Sequence, residues 1–159
     1  GTRSGSLDPE VVRVMAEVEN KSLDEVLNIL NKESGVYGLS ENMSSDIRDL
    51  TDEYFKGNKK AIRALNAYTY GIAKYVGAYA AAMDGLDAIT FTAGVGEHSY
   101  LIRKLVCDRL HFIGADVDDN LNKNADGVAL ITKPDSRVKV YVIPTDEEMS
   151  IARQTAAAL

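Results

Sequence analysis

One helical pattern dominates the chain and limits the folds that are open to it. Across residues 58–83, one face of a helix carries mostly apolar and aromatic residues at alternating spacings of three and four: Ile62, Leu65, Thr69, Ile72, Val76, Tyr79 and Met83. Tyr68, Tyr70 and Tyr75 lie off this stripe. Because one core-facing stripe cannot hold that much surface, we expect a long helix that is either fully buried or part of a subunit interface.

Shorter elements are predicted on both sides of this helix. Before it, capping residues at Asp8, Ser22 and 44–46 predict three helices, with a glycine-containing loop at 35–38. After it, strand-like and helix-like patterns alternate: strands at 87–92, 127–131 and 138–143, a turn at 93–98, and helices at about 99–110 and after Pro144. The sequence therefore predicts a helix-rich α/β fold with a small sheet that lacks strands.

Composition and charge exclude several classes of protein. The 159 residues are 45% hydrophobic and 26% charged, which is the balance of an ordinary globular chain, so we expect a single domain. No run of 18 uncharged apolar residues is present, and a net charge of −6 without a basic stripe argues against nucleic-acid binding, so neither a membrane nor a nucleic acid is an expected partner. Cys107 is the only cysteine, and we interpret it as a packing residue in a cytoplasmic protein.

The first segment that could carry chemistry is Gly94-Val95-Gly96, between a predicted strand and a predicted helix. Two glycines let a ligand approach the backbone closely, and free N–H groups at a helix start attract polar or negative atoms. The segment lacks the third glycine of a dinucleotide fingerprint and the Gly-Lys-Ser/Thr of a P-loop. Taken alone, it fits a tight strand-to-helix turn better than a nucleotide site.

The second segment contains three consecutive carboxylates, Asp146, Glu147 and Glu148, after a strand and a proline. Carboxylates at strand ends near phosphates commonly hold Mg²⁺ directly or through water. Thr145 and Glu148 also have the spacing of a helix capping box, and Asp146 suits a helix N-terminus. Glu147 has no such structural duty and is the better metal candidate.

Two further segments contain arginines. Arg3 stands among small residues, where its guanidinium could make two contacts to a phosphate or carboxylate, although local physics alone favours an exposed, frayed terminus. Asp46-Ile47-Arg48 opens a predicted helix, and its structural interpretation is a helix-start acid followed by a surface arginine.

Taken in order, these segments resemble the motifs of the acetate kinase family. The resemblance covers essentially the whole chain through six motifs: GTRSG at 1–5 with Asp8-Pro9, KESG at 32–35 followed by GLS, Asp-x-Arg at 46–48, AKYVGAY at 73–79, FTAGVGE at 91–97 and IPTDEE at 143–148. Six ordered matches are jointly much more specific than one short motif.

The resemblance implies a fold and an activity. The fold would be the helix-rich part of the C-terminal domain of an actin-like ATPase (ribonuclease H-like) fold, with a small incomplete sheet and with the N-terminal domain absent. The family transfers the γ-phosphoryl group of ATP to acetate, giving acetyl phosphate and ADP, reversibly and with Mg²⁺ or Mn²⁺. It dimerises through its C-terminal domain, so a homodimer through this domain is expected.

The resemblance also assigns roles to residues. Arg3 corresponds to the arginine that stabilises the transition state, and Glu147 to the glutamate linked to Mg²⁺. Nucleotide binding is implied for two groups of residues: Asp46, Ile47 and Arg48, and Gly94, Val95, Gly96, Glu97 and His98. His98 and Asp146 stand where the family usually has asparagine, so His98 would change hydrogen bonding to the nucleotide and add pH sensitivity.

The length of the chain bears on what it can do. Acetate kinases are a little over twice as long, so the phosphate-binding loop, the acetate pocket and the catalytic aspartate and histidine are expected in the absent part, and the isolated chain is expected to be inactive. A propionate or butyrate kinase of the same family is an open alternative, because the acyl pocket lies in that part. A non-catalytic nucleotide-binding or dimerisation module is another alternative, which the presence of Arg3 and Glu147 argues against.

Overall fold

A computed structural model describes residues 1–158, and the chain divides into two compact units. The first unit is Gly1–Ile72 and the second begins at Ala73. The boundary falls inside the longest helix, α5 (Lys59–Ala82), which contributes residues to both units. The expectation of a single domain stays a prediction.

Four helices of the first unit precede α5: α1 (Glu10–Glu19), α2 (Leu23–Lys32), α3 (Gly35–Leu39) and α4 (Ile47–Phe55). The three expected helix starts are confirmed, because each carries a capping contact to a free backbone N–H group: Asp8 to Glu10 at 2.9 Å, Ser22 with Glu25 in a reciprocal capping box, and Asp46 to Arg48 at 2.7 Å.

The expected loop at 35–38 is wrong, because these residues form α3. Two backbone hydrogen bonds explain the difference. The Gly38 N–H donates to the Ser34 carbonyl at 2.9 Å, and the Tyr37 N–H donates to the Gly1 carbonyl at 3.1 Å. The second bond joins residues 36 positions apart, so no local sequence signal could show it.

α5 confirms the expected long helix but is only partly buried. Its first half is buried along one face, which carries the side chains of Ala61, Ala64, Leu65 and Thr69. Towards and just beyond its end, four large side chains are more than half exposed: Tyr70, Tyr75, Tyr79 and Met83. Full burial is therefore wrong, and the alternative of a subunit interface stays a prediction.

The second unit contains a three-stranded sheet in the order β1-β3-β2, formed by β1 (Ala88–Phe91), β2 (Ala129–Leu130) and β3 (Lys139–Val142). β1 and β3 are parallel, with Phe91 opposite Val142, whereas β2 runs antiparallel to β3. Each strand is shorter than its predicted segment. Because β1 and β3 are parallel, their carboxyl ends lie at the same edge of the sheet, and the segments that follow them begin side by side.

The other elements of this unit are helical: α6 (Ala93–His98), α7 (Tyr100–Cys107), a 3₁₀ helix (His111–Ile113), α8 (Asp119–Lys123) and α9 (Glu147–Ala158). α7 and α9 confirm two expected helices, but the expected turn at 93–98 is wrong, because that segment forms α6. Helices dominate over a small sheet, so the expected α/β class is confirmed. Among residues 1–158, no helical segment meets the length and hydropathy that a bilayer span requires.

Cys107 confirms its interpretation as a packing residue. Its side chain is buried at the end of α7, and burial raises the pKa of its thiol to about 12. A thiol with that pKa is almost wholly protonated near neutral pH, and the thiolate is the reactive form. Cys107 is therefore not a candidate nucleophile.

Candidate functional site

The Arg3 segment, residues 1–5, is anchored to the first unit through its backbone and one hydroxyl. Four hydrogen bonds of 2.8–3.1 Å connect it to α2 and to the start of α3: Ser4 N–H to Leu30 O, Thr2 hydroxyl to Asn31 O, Ser34 N–H to Thr2 O, and Tyr37 N–H to Gly1 O. Four such bonds over four residues fix the path of the chain. The expected frayed terminus is therefore wrong.

Gly35 makes this anchoring possible. Its backbone is left-handed, with φ of +60°, and a Cβ atom placed on it would lie 2.6 Å from the Gly1 carbonyl oxygen and 2.9 Å from that of Arg3. Only glycine accepts both that backbone conformation and that close approach without strain. The GTRSG and KESG motifs are thus two sides of one contact.

The Arg3 side chain differs from its backbone in having no partner. It is exposed, and it forms no hydrogen bond or ion pair with any of residues 1–158. A guanidinium carries five N–H donors in a planar fork that matches the oxygens of phosphate and carboxylate groups. A fixed backbone with uncommitted donors suits a group that contacts a ligand.

Asp46-Ile47-Arg48 lies next to the Arg3 segment, since a Cβ atom on Gly1 would be 2.8 Å from the Ser45 carbonyl oxygen. Asp46 accepts hydrogen bonds from the Arg48 guanidinium at 2.6 and 3.1 Å and from the Arg48 backbone N–H at 2.7 Å. These bonds lower the pKa of Asp46 to about 2. Asp46 therefore caps α4 and orients Arg48, whose side chain is 89% exposed, while Ile47 is half-buried.

In the second unit, α6 directly follows β1, and its two glycines have different surroundings. A Cβ atom on Gly96 would lie 3.2 Å from the Phe91 backbone, so packing against β1 explains this glycine. A Cβ atom on Gly94 would meet nothing within 4 Å. The helix begins at Ala93 in a left-handed conformation, with φ of +57°, which is uncommon for a residue with a side chain. The open space beside Gly94 is available to a ligand.

Arg103 holds the carboxyl end of α6, and sequence reasoning missed this role. Its side chain is 2% exposed, and its guanidinium donates to four neutral carbonyl oxygens at 2.6–2.8 Å: Gly96 O, Glu97 O, Asn122 Oδ1 and Asn122 O. Two of these acceptors are last-turn carbonyls of α6, which have no partner within a helix. This explains why a segment with two glycines is helical.

The buried guanidinium of Arg103 remains charged. Burial lowers its pKa, but an arginine starts from a value so high that it stays protonated in proteins. Helical spacing was the available signal, because Arg103 lies three residues before Val106 and four before Cys107, on the apolar face of α7. Nothing local indicated which carbonyl groups it would reach.

Glu97 joins α6 to the β3–α9 turn, residues 143–146. Its Oε1 atom accepts the Thr145 backbone N–H at 2.9 Å and the Thr145 hydroxyl at 3.2 Å. The hydrogen bond from that backbone N–H lowers the pKa of Glu97, so the carboxyl group is ionised near neutral pH. The remaining members of the segment are Val95, which is half-buried, and His98, which is exposed at the end of α6.

The capping-box interpretation of Thr145 and Glu148 is wrong. Asp146 caps α9 instead, because its Oδ1 atom accepts the Met149 N–H at 2.9 Å. Thr145 is turned towards Glu97. The expected preference of Asp146 for a helix start is confirmed.

Glu147 is the first residue of α9, and its carboxylate is exposed without a hydrogen bond or ion pair to any of residues 1–158. Within the same residues, no group of three or more His, Cys, Asp or Glu side chains could hold a metal ion. Mg²⁺ usually keeps several waters and binds one or two carboxylates together with substrate phosphates. One uncommitted carboxylate fits that mode of binding.

The sequence pattern of the Acetokinase family matches residues 1–153. The chain belongs to this family. The matched range includes both groups of candidate residues: the group around Arg3 in the first unit, and the group around α6 and Glu147 in the second.

Individual members of the acetokinase family are similar over nearly the whole chain. The acetate kinase of Pseudothermotoga lettingae is 52% identical over 155 residues, which are 98% of this chain and 38% of that protein. The crystal structure of Porphyromonas gingivalis acetate kinase superimposes with a TM-score of 0.88 at 44% identity, over 98% of this chain and 39% of that one. A propionate kinase from Francisella tularensis gives 0.87 at 33% identity, over 95% and 38%.

Two facts follow from these similarities. The expected fold, the helix-rich part of an actin-like ATPase fold, is confirmed by its agreement with the solved acetate kinases. The chain spans less than two fifths of the length of the acetate kinase of Pseudothermotoga lettingae.

Proposed function

We propose that this chain is the C-terminal portion of an acetate kinase, a phosphotransferase with a carboxyl group as acceptor. The complete enzyme transfers the γ-phosphoryl group of ATP to acetate, giving acetyl phosphate and ADP, reversibly and with Mg²⁺ or Mn²⁺. The observation that carries the proposal is the environment of Arg3. In a chain of the acetokinase family, its backbone is fixed by neighbouring hydrogen bonds while its guanidinium has no partner among residues 1–158.

The proposed roles follow from the chemistry of phosphoryl transfer, which depends on positioning and charge stabilisation more than on covalent catalysis. Arg3 stabilises negative charge on the group in transfer. Mg²⁺, when bound, neutralises charge on the phosphates, and Glu147 is the residue of this chain that holds it, directly or through water. The exposed, uncommitted carboxylate of Glu147 supports this role.

Each unit also carries residues that we propose to contact the nucleotide. In the second unit these belong to Gly94–His98, supported by the open space beside Gly94. In the first unit they belong to Asp46-Ile47-Arg48, where an exposed guanidinium is held in one orientation by Asp46 and can meet an anionic group.

The complete protein is further proposed to be a cytoplasmic homodimer. Four large exposed side chains at and just beyond the C-terminal half of α5 support a dimer surface, and a single buried cysteine suits a reducing compartment. Light scattering of the protein expressed from the complete reading frame is expected to give the mass of two chains. A monomeric mass would refute the dimer.

The activity is tested by comparing two proteins in one assay. The product of the complete reading frame should form acetyl phosphate from ATP, Mg²⁺ and acetate, whereas residues 1–159 alone should form none, because the acceptor pocket is expected outside them. Absence of phosphoryl transfer by the complete protein to any short carboxylate would refute the proposal. It would favour a non-catalytic nucleotide-binding or dimerisation module.

A propionate or butyrate kinase is the second candidate. The structural similarity to the propionate kinase of Francisella tularensis, at a TM-score of 0.87, supports this second candidate. Measuring kcat/KM of the complete protein for acetate, propionate and butyrate separates the three. The highest value for acetate is expected, and a higher value for a longer acid would change the proposed substrate without changing the reaction.

A further inference from the structure

Glu97 lies within the segment proposed to contact the nucleotide, yet its carboxylate is occupied by another part of the chain. Its Oε1 atom accepts two hydrogen bonds from Thr145, a residue 48 positions away. A carboxylate that is engaged in this way has less capacity for a ligand, and an ionised carboxylate repels phosphate oxygens. This arrangement calls for a role other than direct contact with the nucleotide.

The position of Thr145 shows what the contact controls. The backbone pairing of the sheet extends to Ile143, whose N–H donates to the Phe91 carbonyl at 2.9 Å. Pro144 has no N–H group, so Thr145 offers the first free donor after the sheet ends. Glu97 accepts this donor and thereby extends the anchoring of the chain beyond the last strand.

The residues after Thr145 are fixed from the other side. Asp146 caps α9 through its bonds to the Met149 and Ser150 N–H groups, at 2.9 Å from Oδ1 and 3.2 Å from the carbonyl oxygen. Glu147 therefore follows a short turn that is held by Glu97 at its start and by the cap of α9 at its end. The place where the Glu147 side chain leaves the backbone depends on both contacts.

Glu97 is itself held firmly. The buried Arg103 donates to the carbonyl oxygens of Gly96 and Glu97 at 2.8 and 2.6 Å. The backbone that carries the Glu97 side chain is thus tied to α7 and, through Asn122, to α8. Because its backbone is fixed and its carboxylate is a charged acceptor, Glu97 is well suited to hold the β3–α9 turn against α6.

We infer that Glu97 is a positioning residue, which holds Thr145 and through it Glu147 at a fixed place relative to α6. The inference rests on the proposed function, in which Glu147 is linked to the metal and Gly94–His98 contacts the nucleotide. The contact between Glu97 and Thr145 would keep these two groups at a fixed position relative to each other. Glu97 acts through Thr145 and does not bind the metal.

The test compares three variants of the protein expressed from the complete reading frame: Glu97→Ala, Glu97→Gln and Asp135→Asn. The first removes the acceptor, the second keeps a neutral acceptor, and the third removes an exposed carboxyl group of the same unit that has no partner among residues 1–158. Hydrogen exchange by mass spectrometry reports the amide of Thr145, with the amide of Ile143 as an internal control for the sheet.

In Glu97→Ala, exchange at Thr145 is expected to become about tenfold faster or more, because a hydrogen bond to a charged group is lost, while Ile143 stays unchanged. The gain in ATP affinity that Mg²⁺ provides, measured by titration calorimetry with and without the metal, should fall several-fold. Glu97→Gln should lie between Glu97→Ala and the unmodified protein, and Asp135→Asn should match the unmodified protein.

Two results would overturn the inference. Unchanged exchange at Thr145 in Glu97→Ala would show that the contact does not hold the turn. Faster exchange with an unchanged effect of Mg²⁺ on ATP affinity would show that the turn does not position Glu147. Failure of the proposed function is distinguishable from both, because the unmodified protein would then show no Mg²⁺-dependent binding of ATP, and the inference would fall with it.

Discussion

The two units hold their candidate residues by different means. In the first, Arg3 is fixed by hydrogen bonds around its backbone and by the missing side chain of Gly35, so its own side chain has no structural duty. In the second, side chains do the holding: Arg103 fixes the end of α6, and Glu97 fixes the β3–α9 turn. Backbone anchoring should therefore allow chemistry and folding to be separated by mutation, whereas side-chain anchoring should join them.

The largest expected effect is that of Arg3→Ala. It should lower kcat of the complete enzyme by about 10³–10⁵, the range for charge-stabilising arginines in phosphoryl transfer. The midpoint of thermal unfolding should not change, because the side chain has no partner among residues 1–158. Steady-state kinetics and calorimetry check the two halves of this prediction.

Arg13→Ala is the matched control for Arg3→Ala. Arg13 is an exposed arginine of the same unit, paired with Glu10 and Glu17 on the surface of α1. Its loss should leave kcat normal, since surface ion pairs contribute little. A near-normal rate for Arg3→Ala would remove Arg3 from the mechanism, and a lowered unfolding midpoint would show that its side chain has a structural duty after all.

The opposite behaviour is expected of Arg103→Ala in the second unit. Four carbonyl oxygens, two of them in buried and two in partly buried hydrogen bonds, would lose their donor, so the free energy of unfolding should fall by about 3 kcal/mol or more, and nucleotide affinity should fall with it. Denaturant unfolding measures the first effect. Arg103→Lys should recover part of it, because an ammonium keeps the charge without the planar fork.

Arg137→Ala is the matched control for Arg103→Ala. Arg137 also donates to a backbone carbonyl, that of Ile113 at 2.7 and 3.1 Å, but it does so at the surface. Water can satisfy that carbonyl after the change, so the loss should be below about 1 kcal/mol. Equal losses for the two variants would mean that burial of Arg103 is not the source of its effect.

Gly35→Ala separates the two requirements that backbone anchoring places on glycine. A residue with a side chain is disfavoured in the left-handed backbone conformation of this position, at a cost of about 1–2 kcal/mol in stability. The added Cβ atom would also collide with two carbonyl oxygens of the Arg3 segment. Gly57→Ala has the same kind of backbone, with φ of +79°, and no neighbour within 4 Å of the new Cβ atom. Unfolding experiments should show the larger loss for Gly35→Ala, and only that variant should also lower kcat.

The glycines of α6 give a smaller contrast within one helix. Gly96→Ala should lower stability by about 1 kcal/mol, because its Cβ atom would press on the Phe91 backbone. Gly94→Ala should leave stability unchanged or raise it by up to about 1 kcal/mol, since alanine is the better helix residue. It should nevertheless weaken ATP binding in calorimetry. Unchanged ATP affinity would mean that the space beside Gly94 is not used by the nucleotide.

Sequence reasoning predicted features whose cause is local. The bounds of α5 followed from its periodicity, and the starts of α1, α2 and α4 followed from Asp8, Ser22 and Asp46. Such signals depend only on residues within a few positions of each other. The same reasoning found the candidate residues around which both units arrange their contacts, but ordered motifs of the family were needed to favour function over turns and caps.

Features that depend on distant contacts were missed. α3 forms because Gly1 reaches Tyr37, and α6 forms because Arg103 reaches the last carbonyls of a segment with two glycines. The bond between Glu97 and Thr145 exists only because β1 and β3 lie side by side in parallel. Sequence spacing carries no record of such pairings, so a turn, a loop and a capping box were predicted in their place.

The smallest expected effect concerns Asp46, a predicted site residue of the first unit whose side chain is hydrogen-bonded to a neighbour, Arg48. Its pKa in the folded protein is about 2, below its ordinary value of 3.8, because Arg48 donates to its ionised form. The pair therefore stabilises the fold fully above about pH 4, and this contribution is lost as pH falls from about 4 to 2. Asp46→Asn should remove that part of the acid sensitivity, measured as the unfolding midpoint between about pH 6 and pH 2.

Asp135→Asn is the control, because it removes a carboxyl group without a partner among residues 1–158. It should leave the decrease of the unfolding midpoint at low pH unchanged. An acid sensitivity in Asp46→Asn equal to that of the unmodified protein would show that the charge pair contributes nothing to stability in solution, and the Asp46 side chain would then serve the first unit only as the cap of α4.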